Sequence, residues 1–126
     1  MISEETDNIA SKIVNAAFKV HKSLGPGLLE TVYEVCFCYE LDKAGVRYKR
    51  QVPVPINYEG MAFDAAFRLD VFVEDLIICE LKAVESMHPV FEAQLLSYLK
   101  LTNRNLGFLI NFNVPLIKNG LKRMAL

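Results

Sequence analysis

The chain has 126 residues, enough for one compact domain spanning 1–126 and too few for two ordinary ones. Hydrophobic residues make up 52% and charged residues 23%, which excludes a disordered tail protein and supplies a sizeable core. A net charge of −1 argues against a protein that grips nucleic acid by overall charge, so any such contact must come from local patches.

The opening segment MISEETDNIA is acidic and polar, unlike the basic start of a secretory signal. Glu4 to Leu24 then reads as a helix, with Ile9, Ile13, Ala16, Ala17 and Val20 at helical spacing and Ser3, Thr6 and Asp7 near its start. Gly25-Pro26-Gly27 ends it. A second helix runs from about Leu28 to Ala44 and is closed by Gly45. Neither glycine site has the spacing of a phosphate-binding loop. Arg47 to Tyr58 reads as an edge strand, because Pro53 and Pro55 cannot donate to a central ladder. Glu59-Gly60 marks a turn. Phe63 to Val73 and Leu76 to Ala83 are two further strands, Pro89 opens a third long helix, and Leu106 to Phe112 is a fourth strand. A brief element follows Pro115. The order α-α-β-β-β-α-β, with a crossover helix between the last two strands, predicts an α/β fold whose mixed central sheet is flanked by helices.

No run approaches the roughly 20 apolar residues that span a bilayer, so no membrane partner is expected. Cys36, Cys38 and Cys79 are an odd number without zinc-site spacing, and reduced cysteines fit the expected cytoplasmic location. Cys36 and Cys38, two apart on a helix, point in different directions. Basic residues cluster at Lys43, Arg47, Lys49 and Arg50, at Lys100 and Arg104, and at Lys118, Lys122 and Arg123; such clusters usually form ordinary solvated faces. His21 is read as interacting with the C-terminal end of its own helix, and His88 shares no ligand spacing with it.

The segment RLDVFVEDLIICELKA, Arg68 to Ala83, carries the chemistry. Glu80 and Lys82 are two apart on one strand and face the same way. A two-residue loop would pair position 70 with 79, whereas a three-residue loop, Glu74 to Leu76, pairs Asp70 with Glu80. Phe67, Leu69, Val71 and Val73 are read as one apolar side, and Ile77, Cys79, Leu81 and Ala83 as its counterpart. Matching those sides selects the three-residue loop. Two facing carboxylates repel unless a cation lies between them, which suits a hard divalent ion; the alternative is a surface triad in which Lys82 merely neutralises the pair. Gln94 and Tyr98, four apart on the third helix with Ser97 beside them, share a face, as do Glu30 and Tyr33 on the second.

The stretch Gly27-Leu28-Leu29-Glu30-Thr31-Val32-Tyr33 resembles the signature of the GxxExxY protein family, placed in the PD-(D/E)XK nuclease superfamily. Nearly the whole chain resembles that family, including His21 to Gly27, Gln51 to Pro55, Glu80 to Glu85, Glu92 to Leu99 and Ile110 to Pro115. The resemblance implies a restriction-endonuclease-like PD-(D/E)XK core of α-β-β-β-α-β order. It implies Asp70 and Glu80 as metal-binding acids, with Glu30 as the acid contributed by the first core helix, and Lys82 as the catalytic lysine. Gln94 to Tyr98 resembles the Gln-x-x-x-Tyr motif of RecB-type nuclease domains. Two positions depart from the pattern: Leu69, not proline, precedes Asp70, and Phe91 stands where a histidine is expected.

The reading that follows is a Mg²⁺- or Mn²⁺-dependent nuclease acting on nucleic acid, DNA in the first instance. Asp70 and Glu80 would hold the metal, with the Leu81 carbonyl as a further ligand and Glu30 reaching it through water. Lys82 would position the attacking water, while Gln94 and Tyr98 would orient Lys82 or a phosphate. The alternative is a non-catalytic binding module of the same fold, acting through a partner protein or as a homo-oligomer such as a homodimer.

Overall fold

The computed structural model describes residues 2–126. Helix α1 (Glu4–Leu24) begins where the Ser3 hydroxyl accepts a hydrogen bond from the Thr6 N–H at 3.1 Å, with Glu4, Glu5 and Asp7 in the first turn. It ends at Gly25, whose φ of +67° strains any residue with a Cβ. Helix α2 (Glu30–Lys43) stops just before Gly45, at φ +72°. Ala10, Ile13, Ala16, Ala17 and Val20 of α1 pack in one core with Tyr33, Phe37, Cys38 and Leu41 of α2. His21 does not serve its own helix end through its side chain. Its ring Nε2 donates to the Val114 carbonyl at 2.7 Å, because burial of the ring leaves a polar atom that the loop after the fourth strand can satisfy.

Five strands form one sheet in the order β1-β2-β3-β4-β5: β1 (Tyr48–Tyr58), β2 (Met61–Val73), β3 (Ile77–Lys82), β4 (Leu106–Asn111) and β5 (Leu121–Ala125). All neighbours are antiparallel except β3 and β4, which run parallel and are joined through helix α3 (Pro89–Thr102). The proline-bearing β1 lies at an edge, as expected. The segment after Pro115 is more than a brief element: a 3₁₀ turn at Ile117–Asn119 precedes the full edge strand β5. Only Met124 of β5 is buried, so its hydrophobic pattern is too sparse to announce a strand.

The β2–β3 hairpin has the three-residue loop Glu74 to Leu76, with Val73 opposite Ile77, Phe72 opposite Ile78 and Val71 opposite Cys79. The turn lacks glycine although Glu74 and Asp75 have φ of +51° and +56°. Tertiary contacts hold this conformation, which left-handed sterics otherwise disfavour. The Glu74 carboxylate accepts the Arg47 backbone N–H at 2.8 Å and its guanidinium at 3.1 Å.

One expectation about β2 is wrong. Phe67, Leu69, Val71 and Val73 do not share a side. Val71 and Val73 join the α1–α2 core, along with Ile77, Cys79, Leu81, Phe108 and Ile110. Leu69 and Phe67 pack instead with Leu95 and Leu99 of α3, on the side of Ile78 and Leu109. Alternation reverses phase across Asp70. It reverses on β1 as well, where Tyr48 packs on the first core and Val52 and Val54 on the second. The residue between is Gln51, whose φ of +51° turns an otherwise extended strand by a half-step without changing the register. From Asp70 outward the β1–β2 ribbon has no β3 rungs.

Helix α3 is capped by His88, whose Nδ1 accepts the Val90 N–H at 3.0 Å, and Pro89 fills the first turn. It docks on the sheet at Gly107, where a Cβ would stand 2.9 Å from Leu95 Cδ1 and 3.0 Å from the Ile78 carbonyl oxygen. That close approach sets the height of Gln94 and Tyr98 above β3. All three cysteines are free, and no helix among the described residues is long and apolar enough to cross a membrane.

Candidate active site

Glu30, Asp70, Glu80, Lys82, Gln94 and Tyr98 line one pocket of about 160 Å³, completed by Phe91 and Leu109. Of the residues given a role at the site from the sequence, only Leu81 is absent from the lining. Its side chain is buried in the α1–α2 core, so only its backbone is available to the site. Tyr33, noted beside Glu30, is buried in the same core, and Ser97 also lies outside the lining.

The pocket exists because the β2–β3 ladder stops early. Backbone pairing ends at Val71 and Cys79, and one step further the side chains take over. Leu81 N–H donates to Asp70 Oδ2 at 2.9 Å, and Asp70 N–H donates to Glu80 Oε2 at 3.3 Å. The two acids are thus locked to each other's strands. Glu80 Oε1 is buried and has no hydrogen-bond partner. In a native interior such an atom signals a missing ligand or proton.

Electrostatics sharpen that reading. Burial pushes the Glu80 carboxyl up to about 10, assisted by the nearby Asp70 carboxylate and opposed by the Asp70 N–H and by Lys82. Without a cation the site therefore holds Glu80 as the neutral acid. Glu30, at the solvent-exposed end, is raised by partial burial and by Asp70, while Lys82 opposes and Glu34 adds to the shift. The Tyr98 hydroxyl is raised by burial, then by Glu80 and Asp70, and so remains a donor.

Lys82 Nζ stands 4.3 Å from the centroid of the Phe91 ring. Phe91 thus does by cation–π attraction part of what a polar residue at that position would do by hydrogen bonding. Tyr98 is stacked on Phe67 of β2, with centroids 4.4 Å apart and planes 5° from parallel. Phe91 lies three positions before Gln94 on the same helical face, a spacing that could have flagged it; Phe67, on a different element, carries no such signal.

Among the described residues no three His, Cys, Asp or Glu side chains gather closely enough to hold a metal by themselves. The donors present nevertheless fit a hard divalent cation. Two carboxylates, one with an orphaned oxygen, converge from adjacent strands, and a cation such as Mg²⁺ commonly retains several waters. Most of the basic clusters are consumed elsewhere: Arg47 pairs with Glu74, Arg50 with Glu34, Arg104 with Asp75, Lys122 with Glu92 and Arg123 with Asp7.

No curated protein and no solved structure gave a significant match to this chain. A family model described as the PD-(D/E)XK nuclease superfamily matches residues 7–124, nearly the full length and every element that builds the pocket. Three helices around a five-stranded mixed sheet are consistent with that fold. The chain belongs to the PD-(D/E)XK nuclease superfamily.

Proposed function

We propose that this superfamily member is a Mg²⁺-dependent nuclease, also served by Mn²⁺, that hydrolyses phosphodiester bonds of nucleic acid, with DNA as the first substrate to test. Within the superfamily, the segment Gly27 to Tyr33 supports placing it with the GxxExxY proteins. The observation that carries the reading is the buried, unpartnered Glu80 Oε1 beside Asp70, at the bottom of a pocket that also holds a lysine.

Asp70, Glu80 and the Leu81 carbonyl are the groups that would hold the ion, with Glu30 joining through water at the open end. When bound, a divalent cation there supplies charge for the phosphate and lowers the pKa of water. The remaining work belongs to side chains. Lys82, steadied over Phe91, orients the attacking water and offsets charge that develops on the phosphoryl oxygens. Gln94 is exposed at the pocket edge and able to donate to a phosphate oxygen. Tyr98, held by its stack on Phe67, can accept from the Lys82 ammonium or donate its hydroxyl to the substrate. Net charge near neutrality and the paired basic residues predict modest, salt-sensitive substrate affinity.

The test is cleavage of labelled duplex and single-stranded DNA and of RNA in Mg²⁺ and Mn²⁺, alongside calorimetric titration of Mn²⁺. Asp70→Ala should abolish both binding and cleavage. Lys82→Ala should leave Mn²⁺ binding intact and lower cleavage at least ~10²-fold. Metal binding without cleavage of any substrate would favour the binding-module alternative, and no metal binding would defeat the proposal.

A further inference from the structure

Gln51 and Glu34 lie outside the pocket and take no part in the chemistry above, yet the strand geometry at the site depends on them. Gln51 holds a left-handed backbone, φ +51°, in the interior of β1. Its neighbours Arg50 and Val52 pair with Val71 and Leu69, so Gln51 stands opposite Asp70 where the ladder skips a pair; a separate bulge, which shifts the register, lies further out between Val54 and Ile56. Steric crowding of a Cβ disfavours the left-handed region, so something must hold Gln51 there.

The holder is a buried carboxylate. Glu34 Oε1 accepts the Gln51 side-chain amide at 2.9 Å. Its other oxygen takes Arg50 Nε at 2.9 Å and the terminal guanidinium nitrogen at 2.8 Å. Glu34 is 5% exposed and lies one helical turn beyond Glu30 on α2. One residue therefore ties the helix that carries Glu30 to the strand that faces Asp70. The phase reversal coincides with this tie: the first core holds Tyr48, Val71 and Val73, and the second holds Val52, Val54, Phe67 and Leu69. Without the half-turn at Gln51, continuous alternation would place Leu69 and Val71 on one side and stand the Asp70 side chain out from the sheet on the face of Glu80, rather than along the sheet toward the Leu81 N–H that its carboxylate accepts.

We infer that Gln51, held in its left-handed conformation by Glu34, is a positioning residue that aims the Asp70 carboxylate at the Leu81 N–H, beside Glu80. The inference rests on the metal-site reading, and its test separates the two. Gln51→Gly and Gln51→Ala both delete the amide bond to Glu34, but only glycine adopts φ +51° freely. Mn²⁺ affinity is read by calorimetry, with thermal unfolding recorded for each protein. The glycine variant should bind within about 3-fold of wild type, and the alanine variant about 10-fold more weakly, the scale of a lost supporting contact at a metal site. Glu34→Gln should weaken binding about 10-fold, and adding Gln51→Gly to it should restore most of the loss. A merely structural role predicts no such rescue of affinity. Equal affinities for Gln51→Ala and Gln51→Gly overturn the inference, and should Glu34→Gln not fold, that pair decides alone. Wild-type protein that binds no Mn²⁺ overturns the metal-site reading itself, and this inference with it.

Discussion

Glu34 and Glu80 are almost equally buried, at 5% and 7% exposure, and they are opposite in every other respect. Each oxygen of Glu34 has a partner, from Arg50 and Gln51. Glu80 shares one oxygen with a backbone N–H and leaves the other with none. A buried acid compensated from within the chain fixes structure; a buried acid left uncompensated marks where something from outside belongs. The contrast separates clamp from site more clearly than burial or charge count.

The sharpest way to break that contrast is to strip Glu34 of its cation. Arg50→Met leaves a buried carboxylate with only an amide partner and should cost about 3 kcal/mol in urea unfolding. A change within experimental error would mean that Glu34 is no more compensated than Glu80. Glu80→Gln should act in the reverse sense. It removes an unsatisfied buried acid and should stabilise the metal-free protein at pH 8 by about 2 kcal/mol, while ending Mn²⁺ binding.

The pH profile sharpens the same point. The Glu80 carboxyl is raised from 4.5 to about 10 in the folded protein, so the folded state retains a proton that the unfolded chain releases. Below pH 4.5 both states hold it and the contribution is complete. As pH rises from there toward 10, stability falls, and the slope should vanish in Glu80→Gln. Thermal unfolding of metal-free protein between pH 5 and pH 9 reads it directly; a flat wild-type profile would remove the basis for treating Glu80 as uncompensated. The smallest effect expected is at the stack that steadies Tyr98. Phe67→Leu should cost about 1 kcal/mol by denaturant unfolding and leave Mn²⁺ binding unchanged.

The hairpin register was legible from β3, although the ladder itself ends at Val71 and Cys79, one step short of the expected Asp70–Glu80 pair. Ile77, Cys79 and Leu81 all face one core, so matching them to Val71 and Val73 selected the three-residue loop. The same pattern misled one step further on, since Leu69 and Phe67 continue the alternation in sequence and break it in space. The cause is non-local. Only the folded chain brings Glu34 of α2 to Gln51 of β1, and no periodicity within either segment announces it. Strand β5 escaped notice for another reason: Lys122 and Arg123 are spent on ion pairs with Glu92 and Asp7, so a paired strand reads as a charged tail. The pocket lining was the most legible part, because spacing of two on a strand and of four on a helix each survive folding unchanged.

The β1–β2 ribbon, free of β3 beyond Val71, is a lever with its fulcrum at Asp70. Its outer arm reaches the Glu59-Gly60 turn roughly 30 Å away at the usual rise per residue. Leverage of that ratio is asymmetric: a bend of about 5° sweeps the tip by some 3 Å on this length while Asp70, near the pivot, moves by a small fraction of that. The Tyr98–Phe67 stack sits on the inner part of the arm and braces it against α3. A displacement of the tip is thereby geared down before it reaches the two acids.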